Sequence, residues 1–116
     1  MTEMSKIDTT TLLPQVTAFL WAEADLLDRK DYDHWLDLWQ PEGFYTLPIG
    51  DTTDFANALN LCHDNDKMRR DRIERFKQGF SISSAPPALT VRTVSRIVIE
   101  KAEGDVITVR SAEHVI

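Results

Sequence analysis

Cysteine is almost missing from this chain of 116 residues: Cys62 stands alone. A single thiol excludes an internal disulfide and any cysteine-cluster metal site. Long apolar runs are missing too, so no membrane-spanning helix is expected. The opening MTEMSKIDTT has no basic stretch leading into an apolar one, and no secretory leader is expected from it. Positive charge is in short supply, with 13 Lys and Arg against 19 Asp and Glu, a net charge of −6. Such a chain as a whole is not drawn to nucleic acid or to an anionic membrane surface. Repeats, low-complexity tracts and shifts of composition are absent, so residues 1–116 read as one domain. These absences together fit a cytoplasmic protein.

What is present suits a globular core. Apolar residues make up 42% of the chain and charged residues 28%, and there are three Trp, two Tyr and five Phe. Leu13, Val16, Leu20, Ala24 and Leu27 recur at helical spacing, widened by Leu12, Phe19 and Leu26. They predict a helix over 12–29, with Thr9, Thr10 and Thr11 as capping candidates and Pro14 in the first turn. Tyr32, Trp35, Leu36 and Trp39 line one face of a second helix over 32–39, which Pro41 and Gly43 stop. A short strand is expected over 44–49, its end demoted to an edge or bulge by Pro48. The stretch 50–60 reads as loop. Asp64, Asn65 and Asp66 offer caps to a third helix over 66–78, ended by Gly79. That helix has a narrow apolar stripe of Met68, Arg72 with Ile73, and Phe76, and it is markedly basic. Asp71–Arg75 and Arg70–Glu74 have the spacing of surface ion pairs.

Beyond the Ser/Pro-rich stretch 81–87, residues 89–101 and 106–116 alternate around the turn Ala102-Glu103-Gly104-Asp105, the pattern of a β-hairpin. Strict alternation puts Val91, Thr93, Ser95, Ile97 and Ile99 on one face and Arg92, Val94, Arg96, Val98 and Glu100 on the other. Helical and strand segments are segregated. The expected fold class is α+β, with helices laid on one face of a mainly antiparallel sheet.

Five short patterns in this order resemble one family. They are Val16-x-x-Phe19-Leu20-x-x-Glu23-Ala24-x-Leu26-Leu27-Asp28, Tyr32-x-x-Trp35-Leu36-x-Leu38, Tyr45-x-Leu47-Pro48, Asp64-x-x-x-Met68-x-x-Arg72-Ile73-x-Arg75 and Arg92-x-Val94-Ser95-Arg96. The chain resembles the beta, or small, subunit of aromatic-ring-hydroxylating dioxygenases from about residue 16 onward. The resemblance implies a cone-like fold of the nuclear-transport-factor-2-like, or polyketide-cyclase-like, type, with about three N-terminal helices on the concave face of a curved sheet. It also implies a metal-free supporting subunit. Beta subunits form trimers beneath alpha subunits that carry the Rieske 2Fe–2S cluster and the mononuclear iron. This chain departs from the pattern at Leu61-Cys62-His63-Asp64-Asn65-Asp66, where the family carries an acidic pair preceded by an aromatic. It departs again at Ser111-Ala112-Glu113-His114, where the family tends to be apolar or amide.

Two sets of candidate residues follow. On the subunit reading there is no catalytic, cofactor or metal site. The residues expected at partner interfaces are then Arg69, Arg72, Arg75, Arg92, Arg96 and Arg110. The same fold also hosts dehydratases and isomerases, and fold does not fix function. On that alternative Asp28, Tyr32, His63 and His114 would border a cavity, with a desolvated carboxylate or imidazole moving a proton on a small molecule. His63-Asp64-x-Asp66 reads as a capping segment rather than as a metal site. Trp21, Trp35, Trp39, Phe44 and Tyr45 are core residues first, although an aromatic wall would suit a small aromatic ligand in the cavity. Beta subunits continue past the point matching Ile116 with strands that close the sheet. A truncated homologue is therefore expected to be short of strands, with oligomerisation as the remedy for its open edge.

Overall fold

In the computed structural model the described residues are 2–50, 60–82 and 89–116. The loop expected over 50–60 lies almost wholly outside them, as do residues 83–87 of the Ser/Pro-rich stretch. The chain forms two compact units, Met1–Asp31 with Leu89–Ile116 and Tyr32–Ala88. No described helix is long and apolar enough to cross a membrane. Helices and antiparallel strands make the protein α+β, as expected.

The first unit is one long helix on one hairpin. Helix α1 (Thr2–Asp28) begins well before the expected start and runs through Thr9–Thr11 and Pro14 without a break. Those threonines are therefore helical rather than capping residues, and Pro14 removes one interior hydrogen bond. The expected apolar stripe lies inward, with Ala24 buried and Leu13, Val16, Leu20 and Leu27 half-buried, but Phe19 is half-exposed. The helix ends in a Schellman cap. The Lys30 N–H donates to the Leu27 carbonyl at 3.1 Å and the Asp31 N–H to the Leu26 carbonyl at 2.9 Å. This cap places Lys30 in the left-handed region at φ 60°.

Strands β3 (Arg92–Glu103) and β4 (Val106–Val115) form the antiparallel hairpin. The turn is tighter than expected: Glu103 pairs with Val106, leaving Gly104 and Asp105 as a two-residue connection. Gly104 has φ 56°, the positive value this connection asks of its first residue. The register shifts twice, between Ser95 and Val98 and between Ile99 and Lys101, so 12 residues of β3 lie against 10 of β4. Each shift is a bulge, and one extra residue exchanges the two faces of a strand. The expected face assignments therefore fail past Ser95. Arg92, Val94, Ile97 and Ile99 are half-buried, whereas Thr93, Ser95, Arg96, Val98 and Glu100 are exposed. On the helix side the Trp21 indole N–H donates to the Val94 carbonyl at 3.1 Å.

The second unit holds most of the buried apolar residues among those described. Helix α2 (Tyr32–Leu36) is shorter than expected and continues as tight turns, with Leu38 N–H on the Trp35 carbonyl and Trp39 N–H on the Leu36 carbonyl, both 3.1 Å. Strand β1 (Tyr45–Pro48) pairs antiparallel with β2 (Asn60–Asp64), a strand the sequence did not announce. The ladder loses register between Leu47 and Pro48, where proline cannot donate, as expected. Helix α3 (Asp66–Ile82) starts at Asn65, whose side-chain oxygen accepts from Met68 N–H at 3.0 Å. It continues through Gly79 rather than ending there, since one glycine costs a helix only about 1 kcal/mol. Trp35, Leu36, Cys62 and Ile73 form the buried apolar centre. Around it Trp35, Trp39 and Tyr45 meet edge to face, with ring centroids 5.5–6.0 Å apart.

Candidate functional site

The basic helix α3 turns one of its arginines, Arg69, inward. Met68 and Phe76, expected in the apolar stripe, are 47% and 48% exposed, while Arg69 is 1% exposed. Residues 66, 69, 73 and 77 share a helical face, and the carbonyls at the end of the α2 segment lie along it. The Arg69 guanidinium donates to the carbonyl of Gly43 at 2.9 Å, the carbonyl of Gln40 at 3.4 Å and the Asp66 carboxylate at 3.2 Å. It lies 4.3 Å from the Trp39 ring centroid, a cation–π arrangement. Only its Nε lacks a hydrogen-bond partner among the described residues. A buried cation is tolerated because these oxygens and the ring replace water. Arg69, expected at a partner interface, is buried and binds the chain to itself.

One turn on, Arg72 grips Asp64 with two bonds, Nε to Oδ2 at 2.6 Å and Nη2 to Oδ1 at 3.1 Å. Asp64 is buried on β2, not a helix cap. Its hydrogen bonds from Arg72 outweigh desolvation and hold its carboxyl below the usual carboxylate value. The same bonds raise the pKa of Arg72. On the outside of α3 the ion pairs include Asp66–Arg70 and Lys67–Asp71, one turn earlier than the expected Arg70–Glu74 and Asp71–Arg75, and Glu74 meets Lys77 instead.

In the first unit Asp28 closes the end of α1 onto the start of β3. Its Oδ1 accepts from the Arg92 guanidinium at 2.7 Å and from the Thr90 hydroxyl at 2.9 Å, and its Oδ2 accepts from the Arg92 backbone N–H at 2.9 Å. Arg92 Nε also meets Glu113 at 3.2 Å. Desolvation pushes Asp28 upward, but these donors together outweigh it and hold the carboxyl below its ordinary value. The acid–base alternative asks for the opposite direction, a carboxyl raised toward neutrality.

The other candidates of that alternative lie apart. His114 pairs in register with Thr93, one residue out of phase with Arg92 and Glu113, and so lies on the hairpin face away from Asp28. In the second unit the His63 ring stacks on Phe44 at 4.5 Å, and its Nδ1 lies 2.8 Å from the Thr46 hydroxyl. Tyr32 stacks on Phe76 at 6.1 Å. Tyr45 and Asp64 pair on one side of the β1–β2 ladder, and Thr46 and His63 on the other. A cavity of about 380 Å³ in the first unit is bounded by Thr11, Leu12, Ala102, Gly104, Asp105 and Ile107, none of them aromatic. The Cys62 thiol is buried and donates to the Tyr45 carbonyl at 3.8 Å. No group of three or more His, Cys, Asp or Glu converges among the described residues.

The six expected interface arginines thus separate. Arg69 is buried, and Arg72, Arg92 and Arg110 are paired with Asp64, Asp28 and Glu100. Arg75 and Arg96 are exposed, and neither has an ion pair among the described residues. Thr90, Glu113 and Trp39 were missed as partners. Only the aromatic at 39 had a signal, its place beside Pro41 and Gly43.

Comparison with known proteins supplies the context. The family described as ring hydroxylating beta subunit matches residues 22–116. The benzoate 1,2-dioxygenase subunit beta of Acinetobacter baylyi is 30% identical over 104 residues, covering 84% of this chain and 62% of that protein. The 2-halobenzoate 1,2-dioxygenase small subunit of Burkholderia cepacia is 30% identical over 95 residues, covering 76% and 58%. The crystal structure of the benzoate 1,2-dioxygenase beta subunit from Burkholderia mallei superposes with a TM-score of 0.77 at 32% identity, over 89% of this chain and 66% of that one. The chain spans about three fifths of the length of the curated relatives it matches. With a family match over most of its length and a shared fold at this identity, the chain belongs to the ring-hydroxylating beta-subunit family.

Proposed function

We propose that this protein serves as the beta subunit of an aromatic-ring-hydroxylating dioxygenase, a supporting subunit in aromatic compound catabolism. It would assemble with copies of itself, as a trimer, and with a larger alpha subunit. The Rieske cluster and the mononuclear iron would reside on that partner and supply the oxygen chemistry. The observation that carries the reading is the family match over residues 22–116, joined by relatives that are themselves beta or small subunits. The held-down Asp28 carboxyl adds support, since it favours an ion pair over a proton shuttle. The dehydratase or isomerase alternative with Asp28, Tyr32, His63 and His114 has no comparable observation behind it.

The test is affinity purification of the tagged full-length protein from its native source. We expect a larger subunit to co-purify with the absorption and electron-paramagnetic-resonance spectrum of a Rieske centre. Recovery of the chain alone, free of iron, would overturn the proposal.

A further inference from the structure

We propose that Arg96 is the residue through which the open face of the β3–β4 hairpin takes a carboxylate of a second copy of this chain. The inference rests on the beta-subunit reading and names a contact within that assembly. Arg96 sits at the first bulge of β3, where Arg96 and Ile97 together oppose Ser111 alone. Its φ is 50°, in the left-handed region that glycine enters freely and an L side chain resists. Glycine is the ordinary residue at such a bulge.

Among the described residues one other non-glycine has positive φ, Lys30, and the contrast is informative. Lys30 is explained by its backbone, because the Schellman cap requires that conformation whatever the side chain. At Arg96 the bulge would form at least as well with glycine, so the strain is carried by a side chain that earns nothing inside the chain. The other hairpin arginines are occupied, Arg92 by Asp28 and Glu113 and Arg110 by Glu100. Arg96 is exposed, and its side chain has no ion pair or hydrogen bond among the described residues. Strained residues that the local fold does not require tend to mark places of function.

The charge selects the partner. Around the bulge Arg110 is neutralised by Glu100, which leaves Arg96 as the unmatched cation there, on a chain whose net charge is −6. An unmatched cation on an acidic molecule is complementary to the remainder of another copy, where carboxylates such as Asp37, Glu42 and Asp105 are exposed and hold no ion pair among the described residues. The same net charge disfavours nucleic acid or an anionic membrane as the occupant.

Sedimentation velocity over a concentration series, paired with thermal unfolding, tests this on the full-length protein. Arg96→Gly relieves the backbone and deletes the cation, so we expect a higher Tm together with association weakened at least tenfold. Arg96→Gln deletes only the charge and is expected to weaken association without raising Tm. Lys30→Gly, the backbone control, is expected to raise Tm and leave association unchanged. Wild-type association that persists unaltered in both Arg96 variants would overturn the inference and leave the beta-subunit reading standing. A wild-type chain that stays monomeric at every concentration would overturn the inference and the proposed self-assembly together. Recovery of the Rieske partner then decides the subunit reading by itself.

Discussion

Both units join an arginine to an aspartate, yet they use the pair differently. In Tyr32–Ala88 the charges lie in the packed centre: Arg69 and Asp64 are buried beside Trp35, Leu36, Cys62 and Ile73. In the helix–hairpin unit Ala24 is the only fully buried apolar residue among the described side chains, and Asp28–Arg92 is a clasp at one end of α1. Burial decides what each pair is worth. A desolvated cation whose partners are removed leaves unpaired groups that water cannot reach, whereas a half-open clasp is re-solvated when broken. The second unit should therefore be the one that single substitutions destroy.

The comparison breaks most sharply at Arg69. Arg69→Met keeps much of the apolar stem but orphans the Gln40 and Gly43 carbonyls and loses the Trp39 contact. It should cost about 3 kcal/mol in urea unfolding followed by tryptophan fluorescence. A loss under about 1 kcal/mol would show the buried guanidinium to be dispensable. Asp64→Asn leaves Arg72 half-exposed and able to recover water, so about 2 kcal/mol is expected from the same measurement. If it matched or exceeded Arg69→Met, the ranking by burial would fail.

Acid sharpens the contrast between the two carboxylates. Asp28 and Asp64 both have folded pKa values below their ordinary value of 3.8. Each therefore contributes stability that is present above the unfolded pKa and lost as pH falls through the folded one. Stability should fall as pH drops below about 4. Asp28→Asn should cost about 1 kcal/mol near neutrality and make that fall shallower. An acid limb unchanged in both Asp28→Asn and Asp64→Asn would refute the assignment. The smallest effect has the opposite sign: Lys30→Gly should stabilise the first unit by about 0.5–1 kcal/mol, by removing a left-handed side chain from the Schellman cap. A destabilising result would mean that the Lys30 side chain contributes more than its conformation costs.

Much of this was legible beforehand because it is local. The stripe Leu13, Val16, Leu20, Ala24 and Leu27 needs only the 3.6-residue period, the turn at Gly104 only a glycine between alternating runs, and the break at Pro48 only a missing N–H. The failures were cooperative. Strand β2 is too short to show a period and exists because β1 offers it a ladder. Helix α1 overruns Pro14, and α3 overruns Gly79, because one unfavourable residue is outweighed by the turns on either side. Arg96 inverted the faces of β3, since a bulge adds a residue without any signature in composition. The site residues were legible as types but not as partners. Asp28 is a proton-transfer candidate only on the alternative reading, and the donors that hold it ionised lie 62 and 64 residues away.

The sequence by itself determined the α+β class, the helix and hairpin periodicities and the family, since each depends on residue order over short spans. Tertiary structure alone decided which arginines are available. Availability is a matter of what lies opposite, and the carbonyls of Gln40 and Gly43, the carboxylates of Asp64 and Asp28 and the ring of Trp39 arrive only through folding. Basic residues that look alike along the chain thereby become a buried strut at Arg69, a clasp at Arg92 and, at Arg96, a strained cation left facing outward.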